Sequence, residues 1–199
     1  ISDSKAALDG ARQILMERFA EDADLLAKLR QFLTDNAQLA SRLVEGKEQE
    51  GAKFRDYFEH TEALAKTPSH RALAMFRGRN EGILNINLVM HAQEKPIDAH
   101  PCEAMIAEHW NIEDKARAAD RWLREAVRWT WRVKLLTHLQ TDLLGQLRER
   151  AEAGAIEVFA HNLQDLLLAA PAGQKATIGL DPGLRTGVKV AVIDANGKV

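Results

Sequence analysis

Apolar positions recur at helical spacing through most of this chain. Leu8, Ala11, Leu15 and Phe19 lie three and four residues apart and predict a helix over 4–20. Leu25, Leu26, Leu29, Phe32 and Leu33 predict a second helix, which Thr34-Asp35-Asn36 interrupts with cap and turn residues. Leu39, Leu43 and Val44 then predict that helix resumes. Two short helices about a turn fit either a helix-turn-helix or two bundle helices, the commoner arrangement. Further along, Thr67 is the expected N-cap of a helix with Pro68 at its first position. Leu73 and Phe76 give that helix an apolar side, and Gly78 is placed to end it. Leu84, Ile86, Leu88 and Met90 then alternate with Asn85, Asn87 and Val89, the pattern of a half-buried strand. Its backbone needs a partner; the stretch 93–99, or chain outside these residues, is expected to supply it.

A helix is predicted over 101–110, then a long helical region from about 113 to 168 with Gly145 and Gly154 as candidate breaks. Its last part puts Ile156, Phe159, Ala160, Leu163, Leu166 and Leu167 on one face, and Pro171-Ala172-Gly173 closes it as a linker. The pattern changes at Thr177. Thr177 to Asp181 reads as a buried strand, Pro182-Gly183 as a turn and Val188 to Ile193 as a second strand, followed by the hairpin signal Asn196-Gly197. The expected fold is mainly α: a multi-helix region with one short β element, then the first β-hairpin of an α/β domain. The expected divisions are 1–98 (with the strand near 83–90), 99–173 and 174–199. Ile1 without a methionine, and Val199 directly after a turn signal, read as cuts in a longer chain.

Composition adds exclusions. With 46% hydrophobic and 28% charged residues in 199, the chain is ordinary globular protein. The net charge of −2 excludes a basic glove for nucleic acid, so any such binding must come from a local patch. Residues 1–60 are acidic, with nine Lys/Arg against twelve Asp/Glu, which argues against a groove-reading helix there. Cys102 is the single cysteine, so no disulfide forms within the chain and a reducing cytoplasm is expected. No apolar run reaches the roughly 18 residues of a membrane span.

Two features carry candidate chemistry. The first is Asp181 in Gly179-Leu-Asp-Pro-Gly-Leu-Arg-Thr-Gly187, a carboxylate at a strand end before a tight turn. Several carboxylates converging at such a point would hold Mg²⁺ in an oxygen shell and activate water against a phosphodiester. One Asp cannot do so alone, and the opposing reading makes Asp181 structural. The second is a row of arginines, Arg117, Arg121, Arg124, Arg128 and Arg132, at steps of four, three, four and four. On a helix they span an arc of about 80°, with Trp122, Ala126, Trp129 and Val133 on the opposite, apolar side. Guanidinium groups suit phosphates, and a neighbouring Trp can stack on bases. Three readings stand: a solvated face partly neutralised by Glu113–Arg117 and Asp120–Arg124 pairs, docking on an acidic surface, or nucleic-acid binding. The four Trp are expected mainly in the core. His70, Arg71, Arg77 and Arg79 read as a helix-end cluster. His100, Cys102 and His109 lack zinc spacing, and no phosphate-binding glycine loop is present. No cofactor is expected.

The order of five motifs is more specific than any one of them. Lys-Phe-Arg-Asp-Tyr-Phe (53–58), Ser-His-Arg-Ala-Leu-Ala-Met-Phe-Arg-Gly-Arg-Asn-Glu-Gly (69–82), Arg-Trp-Thr-Trp-Arg-Val-Lys-Leu-Leu (128–136) and the run from Phe159 to Gly173 lead into the Gly-Leu-Asp-Pro-Gly strand. Together they resemble the central helical region of the Tex family of transcription accessory proteins. The final segment resembles the opening hairpin of its YqgF domain, which has an RNase H-like fold similar to Holliday-junction resolvases. The resemblance implies further helix-hairpin-helix and OB-fold modules elsewhere in the protein, binding to RNA and DNA, a role beside the transcription machinery, and kinship to a eukaryotic elongation factor and histone chaperone. It implies an incomplete nuclease site, so that Asp181 is vestigial and this segment catalyses nothing. Arg117, Arg121, Arg124, Arg128 and Arg132 of the row, with Arg185 and Lys189 of the final segment, are the candidate nucleic-acid contacts. The competing expectation is a Mg²⁺-dependent nuclease that joins Asp181 to carboxylates beyond residue 199.

Overall fold

The first two helices form where apolar spacing puts them: α1 is Ser4–Ala20 and α2 is Ala23–Asn36. Each begins on an aspartate whose carboxylate accepts a first-turn N–H, Asp3 from Ala6 at 2.7 Å and Asp22 from Leu25 at 2.8 Å. The computed structural model describes residues 3–90, 100–171, 173–185 and 187–199.

Helix does not resume after Asn36. Ala37–Leu43 is a strand, β1, and this overturns both the helix-turn-helix and the paired-helix expectation. It is the central strand of a three-stranded antiparallel sheet, with β2 (Glu59–Ala63) on one side and β3 (Leu84–Met90) on the other. Leu39 pairs with Glu62 and with Leu88, and Ser41 with His60 and with Ile86. The predicted strand at 84–90 is therefore present, and β1 is its partner. The stretch 93–99 lies outside the described residues. The β element of the helical region is thus a sheet rather than one strand.

The segment between β1 and β3 holds a short 3₁₀ helix at Ala52–Tyr57 and then α3, Ser69–Asn80. Helix α3 starts one residue later than expected. Pro68 is its N-cap, and the Thr67 hydroxyl instead donates back to the Ala63 carbonyl at 3.1 Å. Gly78 does not end α3. It lies inside the helix, where a β-carbon would sit 2.5 Å from Leu84 Cδ1, so glycine is what lets α3 lie close to β3. The stop is Gly82, whose φ of +70° suits a residue without a side chain.

Helix α4 is Pro101–His109. Residues 113–119 are not helical. Helix α5 spans Asp120–Trp129, continues as a π-helical turn over Thr130–Leu135, and passes into α6, Leu136–Leu167. Neither Gly145 nor Gly154 breaks α6, and at Gly154 a β-carbon would meet Ser69 Oγ at 2.7 Å. The buried positions are Ala126, Val127, Thr130, Trp131 and Leu135, with Asp120 buried at the start of α5, while Trp129 and Val133, expected on the apolar side, are about half exposed. The π turn adds a residue to the helical repeat and so changes which positions face inward.

The chain divides into two compact units, Ile1–Ile156 and Glu157–Val199. In the first, one core joins Phe19, Leu29, Leu39, Met75, Ile106, Trp131 and Leu139 from helices and sheet alike. The second contains the hairpin of β4 (Thr177–Pro182) and β5 (Val188–Ile193). Its register pairs Ile178 with Val192, Leu180 with Val190 and Pro182 with Val188. Paired residues share a face, so one face is wholly apolar; Thr177, Gly179, Asp181, Lys189, Ala191 and Ile193 make the other. Ile178, Leu180, Val188, Val190 and Val192 are all exposed. Asn196-Gly197 forms a turn in which the Asp194 carboxylate accepts the N–H groups of Asn196 and Lys198 at 2.8 and 2.9 Å. Among the described residues no helix is long and apolar enough to cross a membrane.

Candidate nucleic-acid interface

The arginine row exists, and every member faces a carboxylate. Arg117 precedes α5 and closes on Asp120, at the start of that helix, with contacts of 2.9 Å from Nε and 2.8 Å from a terminal nitrogen. Asp120 also accepts the backbone N–H groups of Lys115 and Arg117, both at 2.8 Å, and is 2% exposed. The Arg117 guanidinium first, and then these N–H donors, hold the Asp120 carboxyl at about 2. The loop before α5 is thus tied down by one aspartate.

Beyond that hub, Arg121 lies 3.6 Å from Glu125, and Arg124 is 2.9 Å from Asp114 in the loop. Arg128 and Arg132 both reach Glu103, on α4, at 3.7 and 3.6 Å. The pairs expected from helical spacing, Glu113–Arg117 and Asp120–Arg124, are replaced by Asp120–Arg117 and Asp114–Arg124. Among the described residues, five guanidinium groups therefore meet four carboxylates. The row is closer to neutral than its sequence suggests, yet the arginine side chains remain exposed, Arg121 most of all at 88%. Between α4 and α5 runs a groove of about 440 Å³, with Ala104, Ala107 and Val127 in its lining and Arg121, Arg124 and Arg128 along it.

The tryptophans divide. Trp131 is buried and stacked on His100 at 4.6 Å, Trp110 packs on Phe19 at 4.9 Å, and Trp129 lies exposed with the Arg12 guanidinium 5.7 Å from its ring. The smaller basic cluster is also paired, Arg71 with Glu62 at 2.8 Å and Arg77 with Glu81 at 2.9 Å, while Arg79 lies over Phe76. His100 Nδ1 accepts the Cys102 N–H at 3.2 Å and so caps α4. Burial, and then Arg132, lower its pKa. Burial, with Glu103 beside it, pushes the Cys102 thiol up to about 12, so it is inert at neutral pH. His109 instead faces Asp22 at 3.2 Å. Among the described residues no three His, Cys, Asp or Glu side chains converge as a metal site.

On the hairpin, Asp181 stands opposite Lys189, and their charged groups are 3.5 Å apart. Arg185 lies in the exposed loop between the strands. The structure brings Lys189 to Asp181 and four of the arginines to the α4–α5 surface. Sequence reasoning missed Glu103 and Asp114, the acids that meet Arg124, Arg128 and Arg132. Both lie outside α5, and no spacing rule connects them to it.

A helical unit built on a small antiparallel sheet, with an arginine-bearing helix on its surface, defines an α-rich scaffold. Residues 1–159 match the family described as Tex central region-like, and the chain belongs to the Tex family. It is 62% identical over 200 residues to "Protein YhgF" of Escherichia coli (strain K12), covering all of this chain and 26% of that protein. It is 52% identical to "Transcriptional accessory protein Tex" of Neisseria gonorrhoeae, with the same coverage of each. A more distant relative, "S1 RNA-binding domain-containing protein 1" of Pongo abelii, is 25% identical over 96% of this chain and 20% of its own length. The chain thus spans about a quarter of its nearer curated relatives.

Proposed function

We propose that this chain is the helical frame of a cytoplasmic, nucleic-acid-binding transcription accessory factor. In this reading it catalyses no reaction itself and holds RNA- and DNA-binding modules in fixed relation. The observation that carries this is its similarity, over its whole length, to a protein named as a transcriptional accessory protein. The S1 RNA-binding domain in the name of a distant relative favours RNA among the ligands. The hairpin of β4 and β5 is the start of a YqgF-type, RNase H-like domain. Its apolar face, exposed here, suits packing against the rest of such a domain, because an antiparallel sheet commonly lays one face on a core. Asp181 is structural in this scheme, since the Lys189 ammonium across the hairpin occupies the position where a cation would compete for the carboxylate.

Arg121, Arg124, Arg128 and Arg132 on the helix, Arg117 at its start, and Arg185 and Lys189 on the hairpin contribute phosphate contacts. Their contribution is electrostatic, so it weakens as salt rises. The test is charge reversal in the full-length protein. Arg121→Glu with Arg124→Glu leaves Arg128 in place, because a glutamate there would sit beside buried Glu103. Affinity for single-stranded RNA and for duplex DNA is expected to fall about tenfold at moderate salt. Unchanged affinity for both would remove the arginine row from the interface and favour docking to protein.

A further inference from the structure

We propose that Trp129 is a base-stacking residue, the platform on which one unstacked base of a single-stranded RNA lies while Arg121 and Arg132 take nearby phosphates. The role rests on the nucleic-acid reading above and adds to it the recognition of a base. Trp129 ends α5 and is 48% exposed, whereas Trp131, two residues on, is buried in the core. Val133, one turn after Trp129, is also about half exposed, so apolar surface extends along this side of the helix. An indole left in water gives up much of the stabilisation its burial would bring, and apolar patches rimmed by polar residues mark contact sites. The π turn begins at the next residue, Thr130, and such turns are frequent at functional sites.

The ring is already held for a planar partner. The Arg12 guanidinium, from α1, lies 5.7 Å from its centroid, within the range of a cation–π contact. Arg12 pairs in turn with Asp9 on the same helix, and its side chain is largely covered. Helix α1 packs against α5 and the π turn, and buried Phe19 joins it to the core, so the support of the ring is anchored. A ring fixed in this way loses little freedom when a base arrives. The charge around it has the sign that a nucleic acid needs. Arg132 lies three residues on and Arg121 about two turns before, and both side chains are exposed. Glu125, four residues before Trp129, faces Arg121 at 3.6 Å. An aromatic ring beside guanidinium groups suits a ligand that carries a π face and a phosphate together, and every base offers that face, so the contact tolerates any sequence. A duplex keeps its base faces in the stack, so this ring selects single strands.

The experiment measures binding of a labelled uridine oligonucleotide and of duplex DNA by the full-length protein as wild type, Trp129→Leu and Trp129→Phe, across a salt series with thermal unfolding alongside. Leucine keeps an apolar side chain and removes the π face; phenylalanine restores that face. We expect about tenfold weaker RNA binding for Trp129→Leu at every salt concentration, no change for the duplex, and recovery of most of the loss in Trp129→Phe. The salt slope should stay that of the wild type, because stacking neutralises no phosphate. Unchanged RNA binding by Trp129→Leu, an equal loss on the duplex, or a Trp129→Phe protein no better than Trp129→Leu would overturn the stacking role and leave the patch as a protein contact. A second measurement uses the wild-type protein: RNA carrying bromouridine is irradiated in the complex and the crosslinked peptide is identified. A crosslink at Trp129 is expected, and its absence overturns the role even if Trp129→Leu fails to fold. A wild-type protein whose RNA binding ignores salt would instead sink the nucleic-acid reading on which the role rests.

Discussion

Gly78→Ala tests the packing of the sheet against α3, because two known effects oppose one another there. Alanine is favoured over glycine in a helix interior by about 1 kcal/mol. The added methyl, however, would lie 2.5 and 2.8 Å from Cδ1 and Cγ of Leu84, with a Phe54 ring carbon 3.4 Å away. Leu84 is 1% exposed and packs with buried Phe54 and Ile83, so it has little room to yield. Overpacking of a well-filled core costs about 1–3 kcal/mol, and the crowding here calls for the upper part of that range. The net expectation is a loss of about 1–2 kcal/mol. For a cooperative unit of this size that lowers the unfolding midpoint by about 2–8 °C. Gly145→Ala is the control. It lies within α6, and an added β-carbon there meets nothing within 4 Å. It should gain up to about 1 kcal/mol and raise the midpoint by about 2–4 °C. Thermal unfolding monitored by circular dichroism reads both. A Gly78→Ala protein as stable as wild type, beside a stabilised Gly145→Ala, would refute the close approach of α3 and β3.

Other expectations are briefer. Leu39→Ala, at a fully buried centre of β1, should cost about 2–5 kcal/mol in denaturant unfolding, whereas an exposed helical position would lose far less. Ser41→Ala should leave stability unchanged or raise it by up to about 1 kcal/mol, because the buried Ser41 hydroxyl has no partner among the described residues. The Asp120 carboxyl is depressed in the folded state, so its contribution is full above about pH 4, its unfolded range, and is lost as pH falls towards about 2. Asp120→Asn should be less stable than wild type at neutral pH, with the gap closing across that interval; a constant gap would show that the charge is not what Asp120 supplies.

Helices were legible wherever one face alone meets the core. The spacing of Leu8, Leu15 and Phe19, and of Leu25, Leu29 and Leu33, matches α1 and α2 closely. Strand β1 was not legible, because a central strand is covered on both faces: Leu39, Ala40 and Ser41 are all buried, and such a run has no alternation to read. The clue lay at β3, whose unsatisfied backbone required a neighbour, and β1 is that neighbour. Thr34 and Asn36 did mark a real helix end, with Thr34 Oγ1 donating to the Arg30 carbonyl and Asn36 Nδ2 to that of Phe32. Such residues stop a helix without specifying whether a strand or a second helix comes next. The π turn was equally hidden, since one added residue in a helical repeat leaves no mark of its own in composition. The arginine row was visible, but two of its acids, Glu103 on α4 and Asp114 in the loop, make contacts that only the fold creates.

The central claim, that this frame belongs to a protein that grips nucleic acid through charge, is tested most directly by salt titration of the intact protein with single-stranded RNA. The account predicts that the logarithm of affinity falls linearly with the logarithm of salt concentration, with a slope of about −0.7 for each phosphate neutralised, and that the Arg121→Glu/Arg124→Glu protein has a shallower line. A slope near zero, or parallel lines for the two proteins, would contradict it.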